Sequence, residues 1–275
     1  MICFPNCKIN LGLNVVRKRT DGFHDLETVF YPLPIYDVLE IIPAHSAEGN
    51  DITFTATGIP TETNDENNLC AKAYHLLKKE FPQLPPVEMH LHKTIPIGAG
   101  LGGGSADASF TLKLLGKLFD IAPGDRKLME LSLSLGSDCP FFMINKPCFA
   151  TNRGEILNLL TIDLGLYKLL LVNPGIHIRT AYAFSQITPS IPEESIKEIL
   201  QLPIALWKGR LRNDFEEPLF KQYPEIGKIK DELYGAGALY ASMSGSGSSV
   251  YGIFEKEKDV YLSFPPHYFT CEVNL

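Results

Sequence analysis

The residues best suited to chemistry form one short stretch. It runs through Pro96, Ile97, Gly98, Ala99, Gly100, Leu101, Gly102, Gly103, Gly104, Ser105 and Ala106, then Asp107 and Ala108. Five glycines in the seven positions 98–104 strip the Cβ atoms from the backbone. Such a chain can take positive φ and bring its N–H groups against an anion. The pattern that follows predicts a helix from about Ser105, with its N-terminal dipole aimed at the same place. A polyphosphate is the ligand this arrangement suits. Ser105 stands at the junction, where its hydroxyl could cap the helix, touch a phosphate or reach a phosphate-bound magnesium ion. A glycine hinge or tight packing would share this composition, but the strand before and the helix after favour phosphate binding. Gly98, Gly100 and Gly103 satisfy G-x-G-x-x-G. A dinucleotide site, though, needs an acidic residue at a strand end about 20 residues on, and Asp120 falls at the end of a helix. No G-K-[ST] follows the loop, and the H-R-D and D-F-G signatures of protein kinases are absent.

Other reactive residues are scattered. Lys8 and Asn10 lie on a segment where Ile9, Leu11, Leu13 and Val15 alternate with Lys8, Asn10, Gly12 and Asn14. Period two means a strand with one apolar and one polar face, so Lys8 and Asn10 point the same way, about 7 Å apart. A surface lysine lying along its strand is the plain alternative. Asp138 precedes Pro140, and a carboxylate there could orient an attacking hydroxyl and accept its proton. Taken alone it reads as a loop or helix-cap residue. Phe23 and His24 follow Asp21-Gly22 and, on spacing alone, read as a turn with one buried ring. Ser244–Ser249 reads as a tight hairpin turn. Asn64, Asn67 and Asn68 read chiefly as helix-capping candidates, with the border of an adenine pocket as the alternative.

These positions are held by strands and helices that alternate along the chain. Strands are expected at Thr28–Tyr31, Val38–Ile42, 52–57 and 87–93, and a helix over 69–79 with Leu69, Ala73, Leu76 and Leu77 inward. The helix after the glycine loop should bury Leu112, Leu115, Leu118 and Phe119, and Asp125 should cap the next one, which stops at Gly136. In the second half we expect a turn at Arg153-Gly154 and a strand at Lys168–Val172. Helices are expected at Thr180–Ile187, Glu193–Leu200, Asn213–Phe220 and Pro224–Tyr234. Strands at Ala238–Met243 and Ser249–Phe254 come next, then a short helix and a last strand at Phe269–Val273. The mixture lacks regular βαβ spacing, so the fold class is α+β, with a domain boundary near residue 155.

Composition narrows the function. The chain has 275 residues, 25 basic and 32 acidic, for a net charge of −7. That balance disfavours nucleic-acid binding, and the one dense basic run, Arg17-Lys18-Arg19, reads as a solvated loop. The six cysteines form no C-x-x-C pair, so zinc sites and a disulfide scaffold are not expected. The Leu169–Val172 run is far short of the roughly 20 residues of a membrane span, and no signal segment is evident. We expect a cytoplasmic protein, a monomer or weak homodimer, that binds neither membrane nor nucleic acid.

The glycine stretch resembles the phosphate loop of the GHMP kinases. Three more segments agree in order and spacing: Cys7-Lys8-Ile9-Asn10-Leu11, Ser137-Asp138-Cys139-Pro140-Phe141-Phe142 and Met243-Ser244-Gly245-Ser246-Gly247-Ser248. Within that superfamily, the first of these with Asp21-Gly22-Phe23-His24 is similar to the kinases of 4-diphosphocytidyl-2-C-methyl-D-erythritol. The resemblance spans nearly the whole chain. It implies a ribosomal S5-like N-terminal domain (1–155) and a ferredoxin-like C-terminal domain (156–275). It also implies ATP with magnesium as cofactors, and phosphoryl transfer to the 2-hydroxyl of that substrate, a step of non-mevalonate isoprenoid synthesis. Asp138 would be the general base and Lys8 its electrostatic partner, with Lys8 and Asn10 facing it. Residues 96–106 would bind ATP. Phe23 would stack on cytosine and His24 hydrogen-bond its edge, with Tyr182 or Phe184 covering the other face. Asp107 would steady the helix start, and no residue is assigned to metal. This sequence departs from the pattern where Asn6-Cys7 replaces Pro-Ala, Ser137 replaces Ala and Phe23 replaces the more usual Tyr. These changes bear more on substrate choice than on transfer chemistry. A homoserine or mevalonate-derivative kinase is the rival that Phe23-His24 argues against. A non-catalytic nucleotide-binding regulator is the rival that Lys8 and Asp138 argue against.

Overall fold

The computed structural model describes residues 1–44, 51–60 and 67–275. Two compact units interleave along the chain. The first comprises residues 1–7, 35–97 and 102–145, and the second 8–34, 98–101 and 146–275.

The first unit is built on a four-stranded sheet of β1 (Ile2–Cys3), β4 (Val38–Pro43), β6 (Val87–Lys93) and β5 (Ile52–Gly58), in that order. β4 runs antiparallel to β6, while β5 runs parallel to it, with Phe54 opposite Met89. One sheet face carries Leu39, Ile41, Met89 and Leu91 into a core with Tyr74, Leu77, Leu112 and Leu115. Each such leucine contributes about 2 kcal/mol on burial. Cys70, Ala73, Tyr74 and Leu77 of α1 (Leu69–Glu80) are buried at helical spacing. Asn68 starts α1 by accepting a 2.8 Å hydrogen bond from the Cys70 amide. The capping reading of Asn68 therefore holds, whereas Asn64 lies outside the described residues. α2 (Gly103–Leu118), α3 (Asp125–Leu135) and α4 (Cys139–Ile144) complete the unit. Asp125 is the first residue of α3 rather than its cap, which is Gly124.

The second unit carries two sheets, ordered β2-β3-β7-β8 and β10-β11-β9-β12. The first has β2 (Asn6–Lys18), β3 (His24–Tyr36), β7 (Cys148–Asn152) and β8 (Ile156–Leu159). The second has β9 (Tyr167–Asn173), β10 (Tyr240–Met243), β11 (Val250–Glu255) and β12 (Phe269–Asn274), antiparallel throughout. α8 (Pro224–Gly235) packs Ile226, Ile229 and Leu233 on Ala241, Met243, Val250 and Phe254 of that sheet. Helices gathered on an antiparallel sheet make this an α+β chain, as expected.

Three expectations are revised. The polar face of β2 is buried as thoroughly as its apolar one, because Lys8, Asn10 and Asn14 all lie inside. The second-half helices are shorter than expected: α5 (Thr180–Ser185), α6 (Ile196–Ile199) and α7 (Glu216–Gln222). Ser195 sets the start of α6 by accepting from the Lys197 amide. Asn213 delays α7, since its side chain donates to the carbonyls of Met243 and Gly245 and accepts from the Phe215 amide. No helix precedes β12 among the described residues, where Pro265-Pro266 removes two amide donors. Among the described residues no helix is long and apolar enough to cross a membrane.

Candidate active site

The glycine loop is shaped by what grips its carbonyls. Ala99 O accepts from the Ser249 amide at 3.2 Å, and Leu101 O from the Lys8 amide at 2.9 Å. Gly100 O accepts from Ser244 Oγ at 2.8 Å and from Lys8 Nζ at 3.2 Å. A planar trans peptide holds each C=O antiparallel to the next N–H, so the amides of residues 100–102 point away from this scaffold. Gly100 has φ of 77°, and a Cβ there would stand 2.0 Å from Ser244 O, so only glycine lets the loop lie this close. The Ser244–Ser249 turn is therefore the clamp under the loop.

The helix expected from Ser105 starts two residues earlier. Its cap is Gly102, in the left-handed region at φ 70° and with no side chain to bond the first amides. Those amides stay available to an anion, and the capping role open to Ser105 is not the one it takes. Pro96 and Ile97 lead from β6 into the loop within the first unit.

Asp138 belongs to the first unit with Gly102–Ala106. It stands at the N-terminal cap of α4, yet its carboxylate makes no capping bond to that helix, which sets aside the capping alternative. The two segments are tied together. Ser109 Oγ donates to Ser105 O and to Cys139 O, both at 2.8 Å, joining the first turns of α2 and α4. Asp138 is thus fixed next to the first turn of α2.

Lys8 and Asn10 belong to the second unit with Gly98–Leu101. Lys8 is not a surface lysine. It is 2% exposed, its Nζ donates to Asn10 Oδ1 at 2.7 Å and it lies over the Phe30 ring. Asn10 Nδ2 donates to Thr28 Oγ1 at 2.8 Å, and Tyr251 Oη donates to Asn10 O at 2.7 Å. The side-by-side placement read from the strand period is what the structure has.

His24 opens β3 and Phe23 directly precedes it, both in the same unit. Phe23 is not the buried ring of a turn. It is 52% exposed, with the Arg153 guanidinium 4.9 Å from its ring centre. His24 stacks on Phe184 at 4.8 Å, with ring planes 16° apart. Burial and the nearby Lys18 hold the His24 pKa below the usual histidine value, which keeps its ring neutral at neutral pH. Tyr182 and Phe184 both pack half-buried on the apolar core, and Phe184 is the ring stacked on His24. Arg17 and Arg19 are ion-paired to Asp21 and Asp25, which accounts for the basic run.

A buried charge cluster escaped the sequence reading. Lys93 Nζ donates to Asp37 Oδ2 and, at 2.7 Å, to Asp107 Oδ2. Asp37 Oδ1 accepts from the amides of Thr94 and Ile95 at 2.6 and 3.0 Å. The partners of Lys93 are 56 and 14 residues away in sequence, so only the Asp107 half had a local trace, as a helix-start aspartate.

Comparison with known proteins agrees with this geometry. Residues 68–146 match the model of the GHMP kinases N terminal domain, and residues 195–262 that of GHMP kinases C terminal. A protein of Parabacteroides distasonis named 4-diphosphocytidyl-2-C-methyl-D-erythritol kinase is 52% identical over 93% of this chain and 92% of its own. A Bacteroides fragilis protein of the same name is 51% identical over 94% of each. A crystal structure of 4-(cytidine 5'-diphospho)-2C-methyl-D-erythritol kinase superposes with a TM-score of 0.77 at 31% identity, over 92% of this chain and 89% of that one. The chain belongs to the GHMP kinase family.

Proposed function

We propose that this chain transfers the γ-phosphoryl group of ATP to the 2-hydroxyl of 4-diphosphocytidyl-2-C-methyl-D-erythritol, supplying isoprenoid synthesis by the non-mevalonate route. The observation that carries the reading is Asp138, a helix-cap carboxylate that does not cap, tied through Cys139 and Ser109 to the first turn of α2. Asp138 accepts the hydroxyl proton as the phosphorus–oxygen bond forms, and ADP leaves with the electrons of the broken bond. Lys8, held beside Gly100 O, stabilises the charge gathering on the transferred group. Residues 96–106 bind the polyphosphate through main-chain amides and the N-terminus of α2. Magnesium carried with the phosphates of ATP would offset their charge, while Asp107 is bonded to Lys93.

Phe23 stacks on the cytosine and His24, neutral at working pH, bonds its edge, with Asn10 and Tyr182 lining the acceptor site. Tyr182 or Phe184 covers the second face of the base. The protein works in the cytoplasm as a monomer or weak homodimer, with a domain boundary near residue 155.

A substrate panel read by mass spectrometry tests this. The cytidine compound should gain one phosphoryl group in the presence of ATP, while homoserine and mevalonate derivatives stay unmodified. The reverse pattern overturns the substrate assignment. Asp138→Asn should lower kcat by about 10²–10⁴-fold with ATP affinity retained, and an unchanged kcat removes Asp138 from the chemistry.

A further inference from the structure

His177 has no part in the account so far, yet it lies on the glycine loop. It sits in the bend between β9 and α5, solvent-exposed. Its ring rests against Gly98. A Cβ on Gly98 would stand 2.7 Å from His177 Nδ1 and 2.8 Å from Cε1, so any side chain there would evict the imidazole. Gly98 is itself exposed and has φ of 64°.

The contact is built rather than casual. Asn173 Nδ2 donates to Ser248 Oγ and Ser249 Oγ at 3.2 and 3.0 Å, and Asn173 Oδ1 accepts from the Gly175 amide at 3.0 Å. Ser248 Oγ donates to Ile176 O at 2.6 Å, fixing the peptide that leads into His177. Ile178, next in sequence, is buried. The Ser249 amide holds Ala99 O, so one turn secures the histidine and the loop together. Beyond His177, Thr180 Oγ1 and Ser246 Oγ lie 3.4 Å apart at the surface. Hydrophobic burial does not explain an exposed ring on an exposed glycine. An imidazole with an N–H donor, set against Gly98 beside a loop of outward amides, suits an anionic oxygen.

We infer that His177 is a further phosphate-contacting residue, donating a hydrogen bond from its imidazole to a phosphate oxygen seated at the Gly98 end of the loop. The inference rests on the phosphate-loop reading above. The oxygen can belong to the polyphosphate of ATP or to the diphosphate of the acceptor, and both offer the same chemistry.

The test uses the full chain with ¹⁵N-labelled histidine, in which the ring signals are followed by NMR and His177→Gln identifies the His177 resonance. A magnesium-bound non-hydrolysable ATP analogue is titrated in one arm and cytidine diphosphate in the other. The His177 ring signals should shift saturably in one arm, and that ligand should bind His177→Ala about tenfold more weakly. Ring signals that stay fixed in both arms while other signals report binding overturn the inference and leave the loop reading intact. If Gly100→Val, which blocks the loop itself, binds the ATP analogue as the parent does, or if the analogue does not bind the parent at all, the loop reading fails and this inference with it.

Discussion

Lys8 and Lys93 are both strand lysines buried almost completely, 2% and 4% exposed, and each is held at a different place in the chain. Lys93 is gripped by two carboxylates of its own unit, Asp37 and Asp107, at the base of α2. Burial works against its charge, but the two acids more than offset that, and its pKa is raised. The Lys8 ammonium donates to an amide oxygen, Asn10 Oδ1, and to the loop carbonyl of Gly100. The two carboxylates turn Lys93 into a cross-link inside its unit. The comparison teaches that burial alone does not fix what a strand lysine does; the proposed role of Lys8 rests on its place beside Gly100 O.

Four substitutions can break or sharpen that contrast. Lys93→Met should be the most damaging to folding, because it leaves two buried carboxylates facing each other. A loss of about 3–5 kcal/mol in urea unfolding is expected, and a loss below 1 kcal/mol would mean that the triad is no cross-link. Lys8→Met should lower kcat by about 10²–10³-fold, with a smaller shift in the urea midpoint than Lys93→Met. The opposite ranking of the two lysines in either measurement would undo the comparison. Phe23→Ala should weaken acceptor binding by about 1–3 kcal/mol, seen in the acceptor KM, with little change in the KM for ATP. Equal losses in both would remove Phe23 from a pyrimidine site.

The smallest effect concerns pH. Burial pushes the Asp107 carboxyl up to about 7 against the opposing pull of Lys93. Among the described residues its Oδ1 has no hydrogen-bond partner. The folded chain therefore keeps a proton between about pH 4 and 7 that the unfolded chain has released. Stability from this group falls as pH rises through that window. Asp107→Asn should flatten the fall between pH 5 and 7.5 by on the order of 1 kcal/mol, measured by urea titration at both pH values. A slope as steep as the parent's would assign it to other groups.

The same contrast explains what could be read before the structure. Strands β2 and β4–β6 were legible because alternation is a local property, and the glycine loop because its geometry is dictated by its own residues. The placement of Lys8 beside Asn10 followed from strand period alone. Its burial did not, since Ser244 and Tyr251 reach β2 from more than 230 positions away. The Lys93 triad was invisible for the same reason, as was His177 on Gly98. Helix limits failed where a polar side chain served a distant partner, as Asn213 does for the Ser244 turn. Phe184 rather than Tyr182 against His24 is likewise set by packing, through its edge contact with Phe215.

The most direct measurement is ³¹P NMR of the product formed from ATP, magnesium and ¹³C-labelled 4-diphosphocytidyl-2-C-methyl-D-erythritol. The account predicts one new phosphomonoester whose phosphorus couples to the carbon bearing the methyl group, formed in step with ADP. ADP released with the acceptor unchanged, or phosphorus attached at another carbon, would contradict it.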